Sequence, residues 1–382
     1  MPNVSIKKTQ WNGCGQSGII MLLESRARRP QTKATRRNSR TTCAFTFNST
    51  WLGSFSPMIK QTLFSAALCL CTSYVSSTMV VVRQDDTRRG FVEGLNDAGD
   101  LTLPSSLDFL YSAPYVQMSM DIDSDQTYLS AFPDGNSYPI LSILNPDLTV
   151  SYQFDQNNFT FWDMQYCSAQ STIYGIKVTE DFNGGMYGRT LSNYTADQST
   201  GVISAVELYT LPYMWYVNAS SINPVTSKYY ALVNNFPGHD NSTQDQKLVM
   251  GDFSVENDAK VTTLDIDEEN VMMQFIAFSR SQGFLYFAGP SKKGGSTDVT
   301  VGVLCQVHGT IHEMKYFDND VIQVGPIVAD DANSRVLFFV KKSVSPHEWT
   351  LMSVGYAEGS VAEKVHHYEG DMFASFGAAA LM

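Results

Sequence analysis

The sequence predicts an all-β protein, a six-bladed β-propeller closed by N- and C-terminal strands in one blade, with five blades as the alternative. Three observations predict it. Short apolar runs separated by turn-forming clusters recur along most of the 382 residues, aromatic residues recur at an interval near 50, and the two chain ends hold complementary parts of one blade.

The clearest unit runs from Tyr216 to Ile266. Its four apolar runs are Tyr216–Ser221, Lys228–Asn234, Lys247–Phe253 and Lys260–Ile266. Between them lie Asn223-Pro224, Pro237-Gly238-His239-Asp240 and Glu256-Asn257-Asp258-Ala259, all turn formers. The second run of each unit carries an aromatic: Tyr128, Tyr174, Tyr230, Tyr286 and Phe338, at intervals of 46, 56, 56 and 52 residues. Short strands at that spacing make a propeller blade rather than a helical solenoid.

The third and fourth runs form hairpins. Ile140–Leu144 and Leu148–Phe154 flank Asn145-Pro146-Asp147, Val299–Gln306 and Thr310–Phe317 flank His308-Gly309, and Trp349–Tyr356 and Val361–Tyr368 flank Glu358-Gly359-Ser360. Such residues tolerate the positive φ of tight hairpin turns. The second unit fits least well, with a long turn expected over Asn193–Gly201.

A lone four-stranded sheet leaves a face and two edges uncovered, so the end blades must meet. The C-terminal run Met372–Leu381 has nothing after it to complete a blade. Val80–Arg83, Phe91–Asn96 and Leu101–Leu107, near the other end, supply the missing three strands.

Residues 1–57 hold nine Lys/Arg and one acid, Glu24, with no alternating or helical apolar pattern. They read as a non-native or disordered basic leader. Residues 58–77 read as a signal peptide: Lys60, then the apolar Leu63–Cys71, then small residues at Val75-Ser76-Ser77. The apolar run falls short of the roughly 20 residues a membrane span needs. Translation is therefore expected to begin at Met58 and the protein to be extracellular, with an uncleaved type II anchor as the alternative. Residues 78–382 form the propeller domain.

The whole chain carries a net charge of −12. Setting aside the leader's nine bases and one acid leaves 17 basic and 37 acidic residues, a net −20. A body so acidic repels nucleic acid and anionic membranes. No nucleic acid and no membrane span in the mature chain are expected, and the protein is read as a monomer. The two cysteines of the body, Cys167 and Cys305, fall in non-adjacent blades and read as buried free thiols, because a disulfide needs Cα atoms within about 7 Å.

Four sequons fall in the body. Asn158, Asn193 and Asn241 lie in predicted loops and are glycosylation candidates, whereas Asn218 lies on an inner strand and is expected to stay unmodified. Asp121-Ile122-Asp123-Ser124-Asp125 has the look of a calcium loop, but Gln126 and Phe132 stand where that loop needs Gly and Glu. It reads as a turn. The six histidines read as surface or structural residues. No nucleophile elbow, zinc-protease helix or phosphate loop is present.

A propeller's site lies at the mouth of its central channel. The polar residues near the inner strands are Gln117, Asp163, Asn218, Gln274, Gln323 and Asp371, which could bind a cation such as Ca2+ or a small polar ligand, or line a hydrated channel. Two aromatic clusters, Phe159-Thr160-Phe161-Trp162 and Tyr213-Met214-Trp215-Tyr216, enter inner strands. They suit packing between blades or a ligand mouth.

By its strand spacing over residues 79–382, the repeat resembles the secreted six-bladed NHL-like and gluconolactonase-like propellers. It lacks the recurring Gly-His and Trp-Asp pairs of WD40 blades, Gly238-His239 and Trp162-Asp163 each occurring once, and a clear acidic–Asn–Asp metal set, so no catalytic residue carries over. Fold alone is a weak warrant for function. The expected function is a binding or scaffold module for a protein or glycan partner. The alternative is a metal-dependent hydrolase or lactonase with a cation held by residues such as Asp163, Asn218 and Asp371.

Overall fold

The computed structural model describes residues 3–13, 16–26 and 40–47. From 77 to 380 it describes all but 85–88, 105–106, 108, 111–115, 134–138, 157–159, 180–187, 213–214, 236–244, 254–259, 267–270, 292–297, 318–320, 344–347, 358–359 and 370–371. Two compact units emerge, one holding Met1–Ser76, the other Ser77–Asp331 and Arg335–Leu381. In the first, β1 (Asn3–Gly13), β2 (Gln16–Arg26) and β3 (Arg40–Phe47) pair antiparallel in that order. Strands there were not foreseeable from apolar alternation: the β1 sequence NVSIKKTQWNG mixes polar and apolar residues without period. The signal-peptide segment 58–77 lies almost wholly outside the described residues.

The second unit is the propeller. Its N-terminal strands are β4 (Ser77–Gln84), β5 (Arg89–Leu95) and β6 (Leu101–Pro104), followed by the two-residue β7 (Phe109–Leu110), which pairs with both β5 and the next blade. The first blade is β8 (Gln117–Met120), β9 (Thr127–Pro133), β10 (Ile140–Leu144) and β11 (Val150–Asp155). The second is β12 (Thr160–Cys167), β13 (Thr172–Thr179), β14 (Gly188–Asp197) and β15 (Val202–Thr210). The third is β16 (Trp215–Asn223), β17 (Lys228–Asn235), β18 (Asp245–Asp252) and β19 (Lys260–Asp265). The fourth is β20 (Phe275–Ser279), β21 (Phe284–Pro290), β22 (Val299–Leu304) and β23 (Ile311–Phe317). The fifth is β24 (Gln323–Asp330), β25 (Arg335–Ser343), β26 (Glu348–Gly355) and β27 (Glu363–Glu369). The C-terminal β28 (Met372–Ala380) pairs with β4 and completes the sixth. Inner strands β8, β12, β16, β20, β24 and β28 each neighbour the next, and β28 neighbours β8. The ring is closed, by strands from both chain ends.

Six apolar clusters hold it, one at each seam between adjacent blades. Successive strand side chains point to opposite faces, so a strand apolar throughout serves two seams. In β17, Tyr229, Ala231 and Val233 face the second blade, while Tyr230 and Leu232 face the fourth. Fully burying such a side chain contributes about 1.5–3 kcal/mol.

A second repeat lies in the backbone. Asp125, Ser171, Ser227, Gly283 and Ser334 all have positive φ, and each stands just before the second strand of its blade. Residues three further on are Tyr128, Tyr174, Tyr230, Tyr286 and Leu337. The expected anchor Phe338 is therefore one place off. The four tyrosines pack toward the following blade, but Phe338 packs back toward the fourth, and Leu337 and Phe339 face the sixth. A one-residue slip reverses the face of every side chain, and the Leu337-Phe338-Phe339 run gives composition no means to choose among its members.

The long turn expected over Asn193–Gly201 is also corrected. Strand β14 continues to Asp197, and Asn193 pairs with Val206 inside the sheet. The turn is short because the Asp197 carboxylate accepts bonds from the backbone N–H and hydroxyl of Ser199 and the hydroxyl of Thr200. These bonds also hold that carboxyl below its usual range. The Asp121–Asp125 segment is the turn it was read to be. Asp121 accepts from the Asp123 N–H and the Ser124 hydroxyl within it, and from Ser168 of the next blade.

Candidate functional site

Strand pairing starts every inner strand at one end of the ring, where second strands finish and third strands begin. Of the expected channel-mouth residues, Gln117 opens β8 and is half-buried, and Gln323 opens β24 and is exposed. Gln274 stands just before β20, half-buried, its N–H donating to the Ala288 carbonyl. Asn218 is exposed at a register break of β16 between Val217 and Ala219. Asp371 lies outside the described residues, as do the sequons Asn158 and Asn241.

Asp163 is the buried exception, 7% exposed. Its Oδ2 accepts a 2.7 Å bond from the hydroxyl of Tyr229 in the third blade. Burial pushes its carboxyl above the usual value, opposed by its hydrogen bond from Tyr229, and burial likewise drives the Tyr229 phenol well above its ordinary value. The carboxylate thus works in the seam between second and third blades. Asp163 and Asn218, the described members of the expected cation set, occupy unlike surroundings, the first buried and the second exposed. No group of three or more His, Cys, Asp or Glu among the described residues is placed to hold a metal ion. His308 and His312 are exposed on and after their turn, and Cys167 and Cys305 are buried thiols outside any disulfide.

At the mouth end of that same seam lies a group that was only half legible. The two aromatic clusters converge there on Arg189, the second residue of β14, which is 6% exposed. Its guanidinium lies 3.9 Å over the Tyr216 ring and 5.6 Å from the Trp162 ring, and Nη1 donates to the Trp215 carbonyl at 2.9 Å. Trp162 Nε1 donates to the Val217 carbonyl at 3.0 Å, fixing that ring across the seam. Trp162, Trp215 and Tyr216 are all half-buried. Arg189 Nε is buried without a hydrogen-bond partner, and no ion pair joins Arg189 to a described carboxylate. A desolvated cation with a spare donor is costly. Phe159, Tyr213 and Met214 fall outside the described residues.

No family model matches the sequence, and no curated protein matches it. Solved structures do. A Pseudomonas aeruginosa periplasmic gluconolactonase superposes with TM-score 0.50 at 9% identity, covering 80% of this chain and 99% of its own. At the level of the fold, the chain is gluconolactonase-like. A Lactobacillus plantarum protein follows at TM-score 0.46, 9% identity and 81% and 100% coverage, and Kuenenia stuttgartiensis hydrazine synthase at 0.38, 7% identity and 74% and 93%. No helix among the described residues is long and apolar enough to cross a membrane.

Proposed function

We propose that this propeller is an extracellular binding module that takes a glycan or protein partner at the channel-mouth end of the seam between its second and third blades. One observation carries the reading. The half-buried side chains of Trp162 and Tyr216 lie against a buried guanidinium with an unspent donor, and Trp215 gives it a backbone carbonyl. Partly exposed Trp and Tyr beside an Arg is the side-chain set that dominates binding hot spots. The signal-peptide reading of residues 58–77 and the acidic body support an extracellular setting.

The hydrolase alternative places a cation on Asp163, and the lactonase likeness is one of fold. Two measurements separate the readings. Screening the secreted protein against glycan and extracellular-protein arrays should find a partner whose binding falls at least tenfold in Tyr216→Ala. Turnover of simple lactones that requires calcium and is lost in Asp163→Asn would replace the binding reading with the enzymatic one.

A further inference from the structure

The sequons at Asn193 and Asn218 both fall on described strands, in opposite surroundings. Asn193 is half-buried within the ladder of β14, paired with Tyr174 on one side and Val206 on the other. Its amide oxygen accepts from the Thr172 hydroxyl. A sugar on that amide would have to break the bond and stand within the sheet.

Asn218 belongs to neither packed face of its blade. A regular inner strand alternates its side chains between the two seams it borders. In β16, however, Val217 packs toward the second blade and Ala219 toward the fourth, although residues two apart should face alike. Asn218 is the extra residue at the break of register between them. Such a bulge re-aims the side chain it carries. The neighbouring blade pins the bulge from both sides: Trp162 Nε1 donates to the Val217 carbonyl at 3.0 Å and Gln165 Nε2 to the Ser220 carbonyl at 3.2 Å. With both seams filled, the Asn218 side chain is left exposed.

We infer that Asn218, in the sequon Asn218-Ala219-Ser220, carries an N-linked glycan and that Asn193 does not, reversing the expectation from the sequence. This rests on the extracellular half of the reading above, since a secretory pathway supplies the lipid-pyrophosphate-linked oligosaccharide and its transferase. The Asn218 amide nitrogen displaces the lipid pyrophosphate from the anomeric carbon of that sugar. A C–N bond forms, a C–O bond breaks, and the amide gives up one proton. The sequon also requires the hydroxyl of Ser220, which is only 6% exposed in the fold. Transfer therefore precedes the packing of β16. The finished fold keeps the sugar because Asn218 itself stands outside that packing. Two residues from Tyr216, the glycan borders the proposed docking surface.

The test is glycopeptide mass spectrometry on the full chain secreted from a eukaryotic cell line, before and after the amidase that cuts the sugar–Asn bond. The Asn218 peptide should carry sugar and, once cut, show the mass of an Asn-to-Asp conversion; the Asn193 peptide should stay bare. Asn218→Gln and Ser220→Ala should each remove the sugar, and Ser220→Thr should keep it. The folded protein made without a secretory pathway should stay bare when offered to purified transferase and donor, whereas a synthetic peptide of residues 215–224 should be modified. The wild-type measurement needs no variant, so it decides even if Ser220→Ala fails to fold. Secreted protein with a bare Asn218 peptide, or with sugar on Asn193 in its place, would overturn the assignment and leave the binding reading intact. A chain kept in the cytosol with every sequon bare would overturn the assignment and the extracellular reading together.

Discussion

Two seams of the ring solve the same packing problem with opposite polar chemistry. Between the fourth and fifth blades, the Asp331 carboxylate accepts from the hydroxyls of Ser279, Ser281 and Tyr356 and from the N–H groups of Arg280 and Ser281, at 2.5–3.1 Å. Each oxygen is engaged. Between the second and third blades, Asp163 is buried with its carboxyl pushed upward and Arg189 is buried with Nε unmatched. The first arrangement is a finished structural lock. The second leaves polar capacity unspent at a place where aromatic rings reach the surface, and in a folded chain such residual capacity is where a ligand has something to gain.

The sharpest way to break this contrast is Asp331→Ala. It removes the acceptor of five bonds and should cost about 3 kcal/mol in urea unfolding, since orphaned buried donors cost about 1–3 kcal/mol each when water does not reach them. A loss below about 1 kcal/mol would mean that the lock is ornamental.

Tyr229→Phe comes next. It deprives the buried Asp163 carboxylate of its donor and should cost about 2 kcal/mol at neutral pH. The loss should shrink in acid, where the carboxyl is protonated and needs its donor less. A pH-independent loss would show that ring packing alone is at stake.

Asp163→Asn should change neutral-pH stability by less than about 1 kcal/mol, in the stabilising direction. Burial raises the folded carboxyl above the unfolded value of 3.8, so folding favours the protonated form. Its contribution is therefore complete below 3.8 and is lost as pH rises through the folded value. The Asn variant, neutral throughout, should show a flatter stability curve above pH 4 than the wild type. A steeper curve would reverse the assignment.

The smallest effect is expected on β15, the outer strand of the second blade, where Val206 is 64% exposed. Val206→Thr should shift stability by no more than about 0.5 kcal/mol. A larger loss, or a change in oligomeric state, would mean that this edge is covered in solution.

The candidate site was legible in part. Phe159–Trp162 and Tyr213–Tyr216 stood out as aromatic clusters entering inner strands, and Trp162, Trp215 and Tyr216 do meet at one seam. Arg189 did not stand out. Its signal was a lone base shortly after Gly184-Gly185, a pair that reads as loop punctuation leading into a third strand. Asp163 was singled out for the channel, yet its bond partner Tyr229 lies 66 residues away in the next blade.

By itself the sequence determined the strand content of residues 78–382, the repeat near 50 residues and the shared closing blade, with six blades favoured over five. Those follow from apolar runs and turn residues that act over a few positions, where composition and period suffice. Only the tertiary structure decided that Leu337 and not Phe338 is the equivalent of the blade tyrosines, because a face depends on single-residue register set by a bulged partner strand. It alone decided too that Trp162, Arg189 and Tyr216 converge, since those contacts cross a seam between sheets and no local pattern encodes which residue of one blade meets which of the next.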